Sequence, residues 1–260
     1  MPIDWDETQK ALSPVKDYQS LLQRLQESFA YLFVRQNFNL SLPELENYTR
    51  LMLGGDSRGR YAEYLALLVG ALSQLQQAGV SDILDLLSRT ATPNKLQGFV
   101  EQSDVHAPQV VAVLKFLLYW VVPGEKYLSG LVRDDPSTSQ AIKVLGGLGV
   151  RTNLQLLQQG LSAAGRKALS GSSGLPGTVI AELVNRADFS RLPWASKATI
   201  SNIIGAGYGS LAKLANADPE KLYADFFRYG KAIGKNLKLG NEIENSYRIA
   251  KIVPAVLQAD

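Results

Sequence analysis

The sequence predicts an all-α protein assembled from a multi-helix unit used more than once, and three observations predict it. The stretch Ala78-Gly79-Val80-Ser81-Asp82-Ile83-Leu84-Asp85-Leu86-Leu87 returns seventy residues later as Leu148-Gly149-Val150-Arg151-Thr152-Asn153-Leu154-Gln155-Leu156-Leu157, and less faithfully as Ala206-Gly207-Tyr208-Gly209-Ser210-Leu211-Ala212-Lys213-Leu214-Ala215. The helix before each glycine repeats too: Ala71, Leu72 and Leu75 fall on Ala141, Ile142 and Leu145, and an offset of 58 carries Ile142 and Leu145 to Ile200 and Ile203. Finally, no sustained apolar/polar alternation is bounded by Asn-Gly or Asp-Gly, so almost no sheet is expected.

Each copy reads as the end of one helix and the start of the next. Glycine supplies the left-handed conformation that closes a helix, at Gly79, Gly149 and Gly207. Three residues on, the side chains of Asp82, Thr152 and Ser210 are short acceptors suited to the orphan N–H groups of the following helix. Stacked units that share apolar faces then make the core.

In chain order, Tyr18 to Phe33 carries Leu21, Leu22, Leu25, Phe29, Leu32 and Phe33 at the spacing of one buried helix face. Its aromatic residues, with Tyr31 and Phe38, are expected in the core. Asn39 to Pro43 reads as a turn, with Pro43 in the first turn of a helix reaching Leu53. Gly54-Gly55-Asp56-Ser57-Arg58-Gly59-Arg60 is glycine-rich and basic, but it lacks the Gly-Lys-Ser/Thr ending of a phosphate loop and reads as an interhelical connection. A long helix comes next, Tyr61 to Gln77. The apolar run Val110 to Val122, interrupted by Lys115, is too short to span a bilayer and is expected as a buried helix. Val110, Val111 and Leu114 are set against Val179, Ile180 and Leu183 after a one-residue gap. Gly171 to Gly177 reads as a link between two helices, and Asp218-Pro219-Glu220 as a helix start.

Composition narrows the function. The 260 residues include no cysteine, one histidine and two methionines, which excludes disulfides and thiolate chemistry. The acidic N-terminus lacks a signal-peptide pattern, so a soluble cytoplasmic protein without membrane insertion is expected. Charge is unevenly spread: residues 1–136 carry 12 Lys and Arg against 16 Asp and Glu, a net −4, and residues 137–260 carry 15 against 8, a net +7. The two parts are expected to face different partners.

From Leu145 to Val253 the chain resembles the tandem helix-hairpin-helix (HhH) family of unknown function, distantly similar to HhH modules of DNA-repair and Holliday-junction proteins. The residues that carry the resemblance are Gly149 to Leu157, Gly165-Arg166-Lys167-Ala168-Leu169, Val184 to Pro193, Ala206-Gly207, and Asn216 to Leu222. The resemblance implies degenerate tandem HhH repeats in residues 129–260, a diverged HhH-like copy in 60–128, and an N-terminal helical segment in 1–59. DNA-binding HhH modules grip a phosphate with backbone N–H groups of a glycine-containing hairpin at a helix N-terminus. Here Leu192-Pro193-Trp194-Ala195-Ser196-Lys197 stands at that point, with Trp194 and Ser196 where glycines belong, so the phosphate-gripping bends are expected to be lost.

Nothing assembles into a catalytic set. His106 has no second ligand type spaced to join it and is read as a surface or cap residue. Asp134-Asp135 and Asp4-Asp6-Glu7 are read as solvated or helix-capping acids, and Gly205-Ala206-Gly207-Tyr208-Gly209 lacks the strand that a dinucleotide fingerprint requires. No cofactor, metal or enzymatic activity is expected. The expected function is a non-catalytic adaptor or scaffold that docks another protein or a second copy of itself. The alternative is non-sequence-specific DNA or RNA binding through Arg191, Trp194, Lys197, Lys213, Lys221, Arg228, Lys231, Lys235, Lys238, Arg248 and Lys251, which lie among the aromatics Tyr223, Phe226, Phe227, Tyr229 and Tyr247.

Overall fold

A computed structural model describes residues 3–55, 59–132, 136–237 and 241–258, with the backbone alone for Asn241 and Glu242. Among the described residues the fold is all-helical, with sixteen α-helices and no strand beyond two isolated bridges. The glycine-rich loop lies in part, and Asp134, Asp135 and Lys238 wholly, outside the described residues. The chain divides into two compact units, Met1–Val122 and Pro123–Asp260.

The first unit runs α1 (Trp5–Leu12), α2 (Tyr18–Phe29), α3 (Leu32–Phe38), α4 (Leu42–Gly54), α5 (Ala62–Gln77), α6 (Ile83–Arg89), α7 (Pro93–Glu101) and α8 (Ala107–Phe116), the last passing into a π-turn over Leu117–Val121. Asp4 caps α1 through the amides of Asp6 and Glu7, so the acidic N-terminus starts a helix. The helix expected from Tyr18 to Phe33 is broken at Ala30 and Tyr31. Tyr31 is extended, and the Arg35 Nε donates to the Phe29 carbonyl at 2.5 Å, closing α2 there. The break gives α3 its own direction, so that Phe33, Val34 and Phe38 are buried while Leu32 is exposed. α4 and α5 pack together, as do α5 and α8, and α1 packs on α8, so the N-terminal helices share one core with the helices between Ala62 and Phe116. Lys115, the charge inside the apolar α8, reaches the Ala11 carbonyl at 2.6 Å and the Ser13 carbonyl and so closes the end of α1. His106 precedes α8, and its N–H donates to the Gln109 side chain at 3.0 Å.

The second unit opens with a single 3₁₀ turn, Leu128–Gly130, followed by α9 (Pro136–Gly147), α10 (Asn153–Gly160), α11 (Ala163–Ser173), α12 (Gly177–Phe189), α13 (Lys197–Gly205), α14 (Leu211–Ala215), α15 (Pro219–Ala232) and α16 (Asn241–Ala250). α10, α11 and α12 pack on one another, α12 and α16 pack on α14, and α13 packs on α15.

The three glycine turns are built alike. Gly79, Gly149 and Gly207 have φ of +76°, +82° and +102°. In each, the residue after the glycine returns its N–H to the carbonyl five residues back: Val80 to Leu75 at 3.1 Å, Val150 to Leu145 at 2.9 Å, and Tyr208 to Ile203 at 3.1 Å. All six of these residues are buried. Asp82, Thr152 and Ser210 then accept from the amides of Asp85, Gln155 and Lys213. Each of the first two turns also forms a short bridge, Ser41 with Asp82 and Tyr127 with Thr152, inside the first and the second unit respectively.

The offset of seventy continues without interruption, so the one-residue gap set before Val179 is not needed. The caps Thr92 and Ser162 correspond, α8 and α12 begin at Ala107 and Gly177, and buried Val110 and Leu114 fall on buried Ile180 and Val184.

These turns give a pair of opposite expectations. Nothing lies within 4 Å of a Cβ added at Gly149, so Gly149→Ala carries only the left-handed backbone penalty, about 1 kcal/mol of lost stability. Gly146→Ala, in the helix before the turn and with only the Arg151 side chain at 4.0 Å, is expected to gain about 0.5–1 kcal/mol. Urea unfolding of the two variants measures both, and equal signs would contradict the turn geometry.

Candidate interaction surfaces of the second unit

Among the described residues, no group of three or more His, Cys, Asp or Glu side chains can hold a metal ion. Nor is any helix among the described residues long and apolar enough to cross a membrane. What the second unit offers is a set of basic and aromatic side chains, and their environments differ sharply.

Arg191 is a correction. It stands among the expected surface residues, but its side chain is buried, 2.5 Å from the Asp188 carboxylate, and donates to the Pro254 carbonyl at 3.0 Å. Three positions apart at the end of α12, the pair closes on itself inside the core. Burial pushes the Asp188 carboxyl above its ordinary value, against the pull of Arg191. Arg186 is buried nearby, bonded to Glu182, to the Leu131 carbonyl and to Ser201 Oγ. Two cations of the basic half are therefore interior groups. The signal was present as Asp188-x-x-Arg191 and Glu182-x-x-x-Arg186, ion-pair spacings on one helix.

A second polar cluster ties the start of the unit to its middle. Buried Asn153 donates to the Gly124 carbonyl and Ser190 Oγ and accepts from the Lys126 amide, while the Lys126 ammonium donates to the Ser190 carbonyl at 2.8 Å. Burial holds the Lys126 ammonium below the ordinary lysine value.

α15 carries the largest share of the expected surface. Asp218 caps it through the Lys221 amide at 2.8 Å. Leu222, Phe226 and Gly230 face inward, and Gly205 of α13 lies against the Tyr229 ring. One position on from the buried stripe, Tyr223 and Phe227 are 58% and 49% exposed, one turn apart. The Lys231 ammonium lies 4.5 Å from the centre of the Phe227 ring, and Lys235 is exposed just beyond the helix. Lys221 and Arg228 are exposed, but both pair with Asp225, each at 3.2 Å. Burial pushes the Asp225 carboxyl upward, but Lys221, Tyr208 and Arg228 outweigh it and hold the group below its ordinary value. Burial, with the same contact, pushes Tyr208 up to about 12.

The remaining residues lie elsewhere. Lys213 on α14 and Lys251 beyond α16 are exposed and border one groove of about 1090 Å³, together with Arg166. Lys251 donates to Tyr247 Oη at 2.6 Å and stands over its ring. Arg248 is half-buried. Trp194 and Lys197 sit at the turn between α12 and α13. Trp194 has φ of +61°, the only non-glycine positive φ among the described residues, and an exposed indole. A bulky side chain there is strained by about 1–2 kcal/mol. Sequence reasoning did not reach Arg166, Asn185 and Asn216, nor the segment Val253–Gln258, as parts of one groove. They come from four separate stretches of chain.

These features define a helical, repeat-containing protein with exposed aromatic and basic surfaces. Residues 136–243, from α9 into α16, match the family described as Domain of unknown function (DUF4332). No curated protein and no solved structure matches the chain.

The buried pair yields a stability expectation. Arg191→Met leaves the Asp188 carboxyl buried without its partner and is expected to cost about 3–5 kcal/mol, while the double change Asp188→Leu with Arg191→Met recovers most of that loss. Urea midpoints test it; a single variant within about 1 kcal/mol of the parent would contradict the burial.

Proposed function

We propose that the protein is a non-catalytic adaptor built from degenerate tandem HhH repeats, and that it docks another protein, or a second copy of itself, through α15. The observation that carries this reading is the pair Tyr223 and Phe227. Two large aromatics stand one turn apart in water, on a helix whose adjacent face, Leu222, Phe226 and Gly230, already packs on the core. HhH descent is supported by the α12–turn–α13 hairpin. Trp194 keeps the left-handed conformation a glycine would take, while its indole occupies a position where a glycine hydrogen would leave room for phosphate.

Nucleic-acid binding is the second reading. Phe227 with Lys231 and Lys235 favours it, since a ring beside cations suits base stacking. Against it, Arg191 is interior and Asp225 holds both Lys221 and Arg228, so three of the cations expected to meet nucleic acid are already paired with carboxylates.

The test is association in solution and from cell extract with the parent and with Tyr223→Ala/Phe227→Ala. The adaptor reading expects a complex that the double variant weakens at least tenfold. An inert monomer that recovers no partner sinks it. Micromolar or tighter binding of a 20-nucleotide single strand, falling steeply with salt and lost in the double variant, would favour the second reading.

A further inference from the structure

The groove bordered by Lys213 and Lys251 is separate in composition from the α15 face, since the two share no lining residue. Its volume of about 1090 Å³ lies just above the roughly 300–1,000 Å³ of small-molecule pockets. Its lining is largely apolar, with Ala181, Val184 and Leu211 among others, and Asn185 and Asn216 add polar groups.

Charge and backbone together specify an occupant. The cations on its lining are Arg166, Lys213 and Lys251. The one carboxylate among the described lining residues is Asp188, which Arg191 already neutralises. The groove is therefore electropositive, with a largely apolar lining. One wall is the segment Val253–Gln258, and this segment is held at both ends. Arg191 donates to the Pro254 carbonyl at 3.0 Å; the Gln258 N–H donates to the Leu161 carbonyl at 2.9 Å and its carbonyl accepts from Arg166 at 3.0 Å. Between these anchors Ala255, Val256 and Leu257 form no hydrogen bond with the described residues. A non-helical run anchored at both ends, whose N–H and C=O groups form no hydrogen bond with the described residues, can pair with an added chain beside an electropositive groove.

We propose that this groove captures an extended acidic segment of a partner protein, in which carboxylates alternate with apolar side chains. The carboxylates meet Lys213 and Lys251, the apolar side chains meet the apolar lining, and the peptide backbone pairs with Ala255–Leu257. This deepens the adaptor reading and rests on it for the partner being a protein, but it uses a surface other than α15.

The probe is a fluorescein-labelled octapeptide alternating glutamate and valine, followed by fluorescence polarisation on the full chain. Micromolar binding is expected. Lys213→Glu/Lys251→Glu, two exposed sites whose fold retention is checked by circular dichroism, lowers it at least tenfold. Ala255→Pro, which removes one N–H from the open edge, lowers it as well. The lysine–valine counterpart peptide does not bind. Tyr223→Ala/Phe227→Ala leaves peptide binding unchanged, so loss of α15 docking and loss of groove binding are read separately. The inference is overturned if the acidic peptide fails to bind, or if the lysine reversal leaves its affinity unchanged. Displacement by dodecanoate or by a 20-nucleotide single strand at equal or lower concentration would likewise overturn it, in favour of a small amphipathic anion or a nucleic acid.

Discussion

The structure depends on a single constraint: a helix that ends on buried leucine or isoleucine has to turn sharply without leaving its last carbonyls unsatisfied. Glycine in the left-handed region solves this, because it lets the residue after it send an N–H back to the carbonyl five residues earlier while that residue's side chain drops into the core. Leu75 and Val80, Leu145 and Val150, and Ile203 and Tyr208 are each joined by such a bond, and every one of the six is buried. The short polar cap three residues past the glycine then starts the next helix in a fixed direction. Where that helix goes, and which of its faces is buried, depends on that one closure.

The second unit adds a different kind of constraint. Its interior holds ionic and polar groups, Asp188 with Arg191, Arg186 with Ser201, and Lys126 with Ser190. Groups of this kind demand their partners in fixed places, since a buried charge left alone costs far more than a missing apolar contact. Here they fasten residues far apart in sequence: Arg186 reaches back to Leu131, Lys126 forward to Ser190, and Arg191 forward to Pro254. The same bonds draw cations inward, and so the surface of this unit is less basic than its composition suggests.

Local chemistry was legible in the sequence. Glycine turns, caps at Asp82, Thr152, Ser210 and Asp218, and the proline-led starts of α4 and α15 depend on a few adjacent residues, and they can be read without knowing the fold. What the sequence hid depends on competing or distant chain. The break at Tyr31 comes from a bond between Arg35 and Phe29 that competes with a helical pattern continuing straight across it. Arg191 reads as surface when it is set among the other basic residues, and as interior only when its spacing to Asp188 is given more weight. Its burial also involves Pro254, 63 positions away. The groove was not legible because α11, α12, α14 and the segment after α16 meet only in three dimensions.

Trp194 has one further use. The chain has three tryptophans, and those at 5 and 120 both precede Pro123, so the indole at 194 is the sole tryptophan of the second unit. It sits largely in water, whereas the ring at 120 is enclosed beside Phe116 and Tyr61. Trp5 is exposed as well, so emission near the red edge combines Trp5 with Trp194, and the blue component comes from Trp120 in the first unit. With Trp5 replaced by phenylalanine, the molecule would carry a pair of optical labels, one for each half of its chain.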